Sequence, residues 1–384
     1  QLDMIWRHDE VDINQWLKDY SERRYGAKSA SAEKAWDIML KTVYSRATSG
    51  VESSSIIAAR PALDCRKSGP NTGFGMRYKA QDLVPALQYL LEDSDKLASA
   101  DGYRFDVMDL CRQVLTNLGQ ELHNEVRIAY DARDKAAFKN TSQRFLGLLA
   151  DVDRLLATRD EYSFHKWVRD ARSWGTNEAE RQQYEKNASI LLTHWGPENT
   201  PVIFDYAWRE WSGLIGGYYL GRWQFFHNYL AKTLESGVVY NDTLPGMKGH
   251  QPLNSTPILE KMTQWEINWI NKKHDVLAKP QGDTIAIAHE LYKKYLPDTQ
   301  RVYSSVHKGK VHEFKKRHED KSNGNLVGTL DYSKNSGIDT IDLTTELSGE
   351  GRYRLQFNTQ RGGAVINKVE VLLNGNPVWQ DKRR

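Results

Sequence analysis

Apolar residues recur at three- and four-residue spacing from Asp12 to about Pro297, a period that commits most of the chain to packed amphipathic helices. The first, DINQWLKDYSERRY over 12–25, sets Trp16, Leu17 and Tyr20 on one face and is closed by Gly26, the residue a left-handed C-cap favours. Ser31 is placed to cap a second helix carrying Ala32, Ala35, Trp36, Met39, Leu40, Val43 and Tyr44. The spacing returns over 82–91 and runs on from Tyr103 to about Arg133, where Met108, Cys111, Val114, Leu118 and Leu122 share a stripe with Phe105. Cys111 reads there as a small core residue. Helices follow over 135–158, in a short segment holding Trp167, Ala171 and Trp174, and from a capping box of Asn177 and Glu180 up to Trp195. Trp223 to Leu234 is helical. Ser255 and Pro257 open a helix with Met262, Trp265 and Trp269 on one side, and Asp283 caps the last, which should stop before Pro297. No fixed repeat length emerges, which excludes a regular solenoid.

Beyond about Val302 the period becomes two. NLVGTLDY, IDTIDL, RYRLQFN and NKVEVLLNG alternate apolar and polar residues between Gly and Asn turns, and NGNP (374–377) predicts a hairpin. The expected fold is mainly α: an irregular all-helical array or bundle over residues 1–300, followed over 301–384 by a short, incomplete antiparallel β-sandwich segment.

Composition narrows function mainly by exclusion. The 53 basic and 50 acidic residues nearly cancel and are interspersed, so nucleic acid is not an expected partner; KGKVHEFKKRH (308–318) reads as a solvated linker. No run approaches the roughly 18 apolar residues of a membrane span. Cys65 and Cys111 fit no metal spacing and form no disulfide framework. Neither a glycine-rich phosphate loop nor a nucleophile-elbow motif occurs, and no cofactor is expected. The opening QLDMIWR reads as the middle of a longer protein.

Two stretches break the helical pattern with chemistry in them. Ser45 to Tyr78 is a serine- and glycine-rich connection holding Glu52, SIIAARP and Cys65; its length fits either a ligand loop, with Glu52 and Arg60 in contact, or a flexible surface loop. Leu191 to Trp223, LLTHWGPENTPVIFDYAWREWSGLIGGYYLGRW, ends one helix on a Trp-Gly-Pro turn, places Glu198 and Asn199 in a loop and should start a new helix near Asp205. Aromatic faces beside carboxylates and amides hold sugar rings, whose C–H faces pack on the aromatic ring; the same residues would also serve as the seam of a helical hairpin. Glu52, Glu198, Asp205 and Glu210 supply carboxylates, and glycoside hydrolysis needs two of them flanking the sugar, about 5 Å apart for retention. Nothing in the spacing brings two together.

Met4 to Gly26, RPAL at 60–63, YRFDVMDLCRQVLTNL at 103–118, Thr193 to Trp223 and GDTIAIAHELYKKY at 282–295 together resemble the C-terminal helical domain of α-N-acetylglucosaminidases, glycoside hydrolase family 89, over residues 2–297. The resemblance implies part of a retaining exo-glycosidase that removes terminal α-linked N-acetylglucosamine. Its catalytic glutamates are expected on a barrel domain upstream of this chain, which would be inactive alone. By motif match Trp195, Ile203 and Tyr206 would wall the sugar pocket, with Glu52 as a polar contact. Arg60 and Asp205 would orient loops, and Trp208, Trp211, Tyr218 and Trp223 would pack helices. Expected partners are N-acetylglucosamine-terminated glycans of glycosaminoglycan or mucin type and the upstream barrel; the expected location is extracytoplasmic. The sheet segment resembles β-sandwich modules appended to bacterial members. The second reading is a stand-alone helical module binding carbohydrate or protein without enzymatic activity.

Overall fold

The computed structural model describes residues 10–45, 55–63, 65, 67–68, 72–73, 76, 78–196, 205–238, 240, 247–248, 251–252, 257–272, 274, 278–305, 368–373 and 376–382. The chain separates into two compact units, Gln1–Val306 and His307–Arg384.

In the first unit, α1 (Ile13–Tyr25) begins where the Asp12 carboxylate accepts the N–H groups of Asn14 and Gln15, and it ends on Gly26 at φ 74°. The cap of α2 (Ala30–Lys41) is Ser29, not Ser31: Ser29 Oγ accepts the N–H of Ala32 at 2.9 Å. Ser31 falls inside the first turn and donates instead to Glu92 on α3 (Ala80–Glu92). A short helix, α4 (Ser94–Leu97), leads into the central post, α5 (Asp101–Asp131). Its stripe of Met108, Cys111, Val114, Leu118 and Leu122 is buried as the spacing requires, with Phe105 half-buried at its start. Along it lies α6 (Lys135–Leu156), whose Phe145, Leu148, Leu149, Val152, Leu155 and Leu156 close the other side of the seam.

The next helix, α7 (Phe164–Ser173), presents a different face from the one its tryptophans suggest. Phe164 and Val168 are buried, Trp167 is partly exposed against Trp211, and Trp174 is 81% exposed. Two positions four apart suffice to seat ten residues, so the larger rings are not the anchors. Asn177 caps α8 (Glu178–Leu192) by accepting the N–H of Glu180, whose carboxylate reaches back to Thr176.

Among the described residues no helix begins near Asp205. The chain turns through 205–213 and enters a π-helical turn at Ile215–Tyr219 that continues as α9 (Leu220–Ser236). The half-buried Asp153 carboxylate fixes this entry, accepting the N–H groups of Gly213 and Gly216 at 2.7 Å each. Gly213 sits at φ 82°, where a Cβ would fall 2.6 Å from His165 Nε2. Two more helices follow, α10 (Pro257–Ile270) and α11 (Thr284–Ser305), the latter capped by Asp283. Contrary to the expected stop, α11 runs through Pro297. The proline removes one N–H, and Asp298 directly after it is buried and holds Arg144 and Arg301, tying the far turns to the domain.

The long connection before α3 is also not a surface loop throughout. Ile56, Ile57, Ala58 and Ala59 are buried, and Ile56 and Ile57 pack against Gly119 of α5. In the second unit, Lys368–Leu373 pairs antiparallel with Asn376–Lys382, with Leu373 opposite Asn376. The other period-two segments lie outside the described residues. Among the described residues no helix is long and apolar enough to cross a membrane, and no His, Cys, Asp and Glu cluster could hold a metal ion.

Candidate functional site

The end of α8 folds back on itself because its last residues satisfy their own backbone. Thr193 Oγ1 donates to the Ser189 carbonyl at 2.8 Å, and the Trp195 N–H returns to Ile190 O at 2.8 Å, which leaves Trp195 at φ 45°. Across the break the Asp205 N–H donates to Thr193 O at 2.7 Å, with Asp205 at φ 56°, and Trp208 follows at φ 33°. Three non-glycine residues in left-handed conformation within this stretch mark a backbone held by its surroundings.

This backbone puts two aromatic rings side by side at the surface. Trp195 and Tyr206 lie 4.9 Å apart between ring centroids at an interplanar angle of 43°, and they are 37% and 39% exposed. Trp208 abuts Tyr206 edge-on at 6.1 Å. Trp208 and Trp211 are partly buried against the core, while Tyr218 and Trp223 are fully buried. The described aromatics of the stretch thus divide into an exposed pair and a packed set. Of the other expected contacts, Ile203 and Glu52 lie outside the described residues, as do Glu198 and Asn199.

Beneath the pair is a cluster of buried charges. Arg222 Nη1 sits 3.0 Å from Asp205 Oδ2 and 2.9 Å from Glu266 Oε1, with all three side chains essentially inaccessible. Its Nη2 donates to the Ala59 carbonyl at 3.1 Å, and the guanidinium rests over the Tyr218 ring at 4.7 Å. Glu266 also receives Arg60, at 3.1 Å, and Arg60 donates further to Thr263 Oγ1 at 2.8 Å. His194 Nε2 lies 3.7 Å from Glu266 Oε2 in the same interior. Burial pushes the Asp205 carboxyl up to about 6, against the pull of Arg222. For Glu266, burial acts in the same upward direction, but Arg60, His194 and Arg222 outweigh it and hold the carboxyl at about 2.

The carboxylates singled out from sequence are therefore tied up wherever they are described. Asp205 belongs to Arg222, and Glu210 is held by Arg112 and Thr116. Arg60 and Asp205, expected to orient loops, engage Glu266 and Thr263, and Arg222, respectively. Arg222 and Glu266, the centre of the cluster, are missed by motif reading. The available signal is a charged residue at a stripe position: Glu266 lies at four and three residues from buried Met262 and Trp269.

Residues 16–294 match the family described as the α-N-acetylglucosaminidase (NAGLU) C-terminal domain. The chain is 29% identical over 297 residues to human α-N-acetylglucosaminidase, covering 76% of this chain and 37% of that protein. It resembles a family 89 glycoside hydrolase from Clostridium perfringens in complex with PUGNAc, with a TM-score of 0.67, 28% identity and coverage of 77% of this chain and 32% of that one. A structure of the C. perfringens enzyme with its substrate GlcNAc-α-1,4-galactose matches at 0.66 and 29% identity, covering 77% and 32%. The chain thus spans about a third of the length of these relatives. Because the match runs through almost the whole helical unit, the chain belongs to the α-N-acetylglucosaminidase C-terminal domain family.

Proposed function

We propose that this chain forms one wall of the pocket for a terminal α-linked N-acetylglucosamine in a retaining exo-α-N-acetylglucosaminidase. The two catalytic glutamates belong to a barrel upstream, and the period-two segment is an appended β-sandwich. The observation that carries the reading is the Trp195–Tyr206 pair, two exposed rings held at 4.9 Å on a strained break while the neighbouring aromatics are packed away. The substrate bound by the C. perfringens relative supports an N-acetylglucosamine-terminated glycan as ligand. An extracytoplasmic location goes with the same reading.

The test is Trp195→Ala in the complete protein, assayed on an aryl α-N-acetylglucosaminide. Loss of one stacking face, worth about 0.5–1.5 kcal/mol beyond buried area, should raise KM about tenfold at nearly constant kcat. The melting temperature should move little, because the ring is exposed. A large fall in melting temperature with unchanged kinetics would assign Trp195 to the fold. A second reading, a stand-alone module that binds carbohydrate or protein without enzymatic activity, is favoured by the same exposure; a flat N-acetylglucosamine titration of the folded 384-residue chain removes its carbohydrate form.

A further inference from the structure

Each exposed ring of the pair is preceded in sequence by a fully buried polar residue: His194 before Trp195, and Asp205 before Tyr206. Both buried residues reach the same ion cluster, His194 toward Glu266 at 3.7 Å and Asp205 toward Arg222 at 3.0 Å. Pulling one residue inward turns the next outward, so one cluster governs both rings.

We propose that Asp205, Arg222 and Glu266 are positioning residues, whose buried ion cluster sets the separation and tilt of Trp195 and Tyr206; the inference rests on reading that pair as the pocket wall. Two features carry it besides sequence adjacency. The backbone at Trp195 (φ 45°) and Asp205 (φ 56°) lies in a region that L-residues avoid and occupy only where the surroundings over-determine it. The surroundings do so here: the Asp205 N–H is fixed on Thr193 O, its carboxylate on Arg222, and the Trp195 N–H on Ile190 O.

The cluster itself joins segments distant in sequence. Arg222 spans three separate segments, holding Asp205 of the break, Glu266 of α10 and the carbonyls of Ala58 and Ala59, while Arg60 grips Glu266 from the other side. Buried ion sets of this kind are commonly no more stable than an apolar core of the same volume, so net stability does not account for retaining one. Fixed geometry directly beneath two ligand-facing rings does.

Asp205→Asn tests the inference in two independent measurements. In the 384-residue chain labelled with 5-fluorotryptophan, the Trp195 resonance is assigned by its disappearance in Trp195→Phe. It should shift and broaden in Asp205→Asn, and stay in place in Asp151→Asn, which breaks the contacts to Lys294 and Tyr295 instead. An unmoved Trp195 resonance in folded Asp205→Asn overturns the positioning role. In the complete protein with an aryl α-N-acetylglucosaminide, KM should rise about tenfold with kcat within about twofold, a split that simple loss of folded enzyme would not give. A moved resonance with unchanged KM supports positioning of the rings and removes the pocket-wall reading on which the inference rests. Should Asp205→Asn lack a cooperative melt, Arg60→Lys at the less buried edge of the cluster takes its place, and the same outcomes decide.

Discussion

At the residue scale, Arg222 is the position where one substitution should cost most. Arg222→Met keeps length and apolar volume but leaves Asp205 and Glu266 as two buried carboxylates sharing an interior without their common cation. Breaking a buried pair from one side costs about 3–5 kcal/mol, so the urea midpoint of the chain should fall by a large fraction of its value at pH 7. A midpoint shifted by less than about 1 kcal/mol equivalent would mean that water already reaches the cluster. Cys111 gives the opposite kind of residue-scale prediction. Its burial on α5 pushes the thiol up to about 12, so a thiol reagent at pH 8 should modify it only on unfolding, and modification of the native chain would refute its core placement. Cys111 was legible from sequence because its stripe is purely apolar. Arg222 and Glu266 were not, because their partner lies 44 residues away and neither local pattern names it.

At the scale of elements, periodicity located the helices well because their stability comes from one buried face, and that face is written in the spacing. It failed where backbone chemistry rather than the apolar pattern decides. The caps at Ser29 and Ser31 differ by which hydroxyl reaches an N–H, and the continuation of α11 through Pro297 depends on ion pairs from other helices. The break before α9 replaces the helix expected at Asp205 because the left-handed residues Asp205 and Trp208, together with Gly213, turn the chain there. The glycines of this region give a contrast that can be measured. A Cβ on Gly221 would lie 2.6 Å from the Trp265 ring, whereas one on Gly147 of α6 would meet nothing within 4 Å. Gly221→Ala should therefore destabilise by about 1–3 kcal/mol through overpacking. Gly147→Ala should stabilise by up to about 1 kcal/mol through helix propensity. Equal shifts in the two variants would show that the approach of α9 to Trp265 is loose.

At the scale of the whole molecule, buried groups whose effects oppose one another contribute to the response to acid. His227 lies among Phe145, Trp223 and Phe226, and burial drives its imidazole down to about 3. The unfolded chain therefore binds a proton there below about pH 6.5 that the folded chain refuses, and stability falls as pH drops from 6.5 toward 3, by about 1.4 kcal/mol per pH unit. Asp205 acts with the other sign: with its folded value near 6, above its ordinary 3.8, the folded chain takes the proton first and stability rises as pH falls from 6 to about 4. Glu266, held near 2, contributes stability that is complete above about pH 4.5 and lost as pH falls through 2. His274, also lowered by burial, adds to the loss in the His227 window. Stability should consequently decline gently between pH 6.5 and 4.5, where His227 and Asp205 offset each other, and steeply below. The variants separate the contributions. His227→Phe should gain on the parent chain steadily as pH falls below 6.5. Asp205→Asn should show a steeper decline than the parent between pH 6 and 4, having lost the compensating proton uptake. Urea melts of the three chains at half-unit pH intervals measure both slopes, and parallel curves for His227→Phe and the parent would mean that His227 is protonated in the folded state.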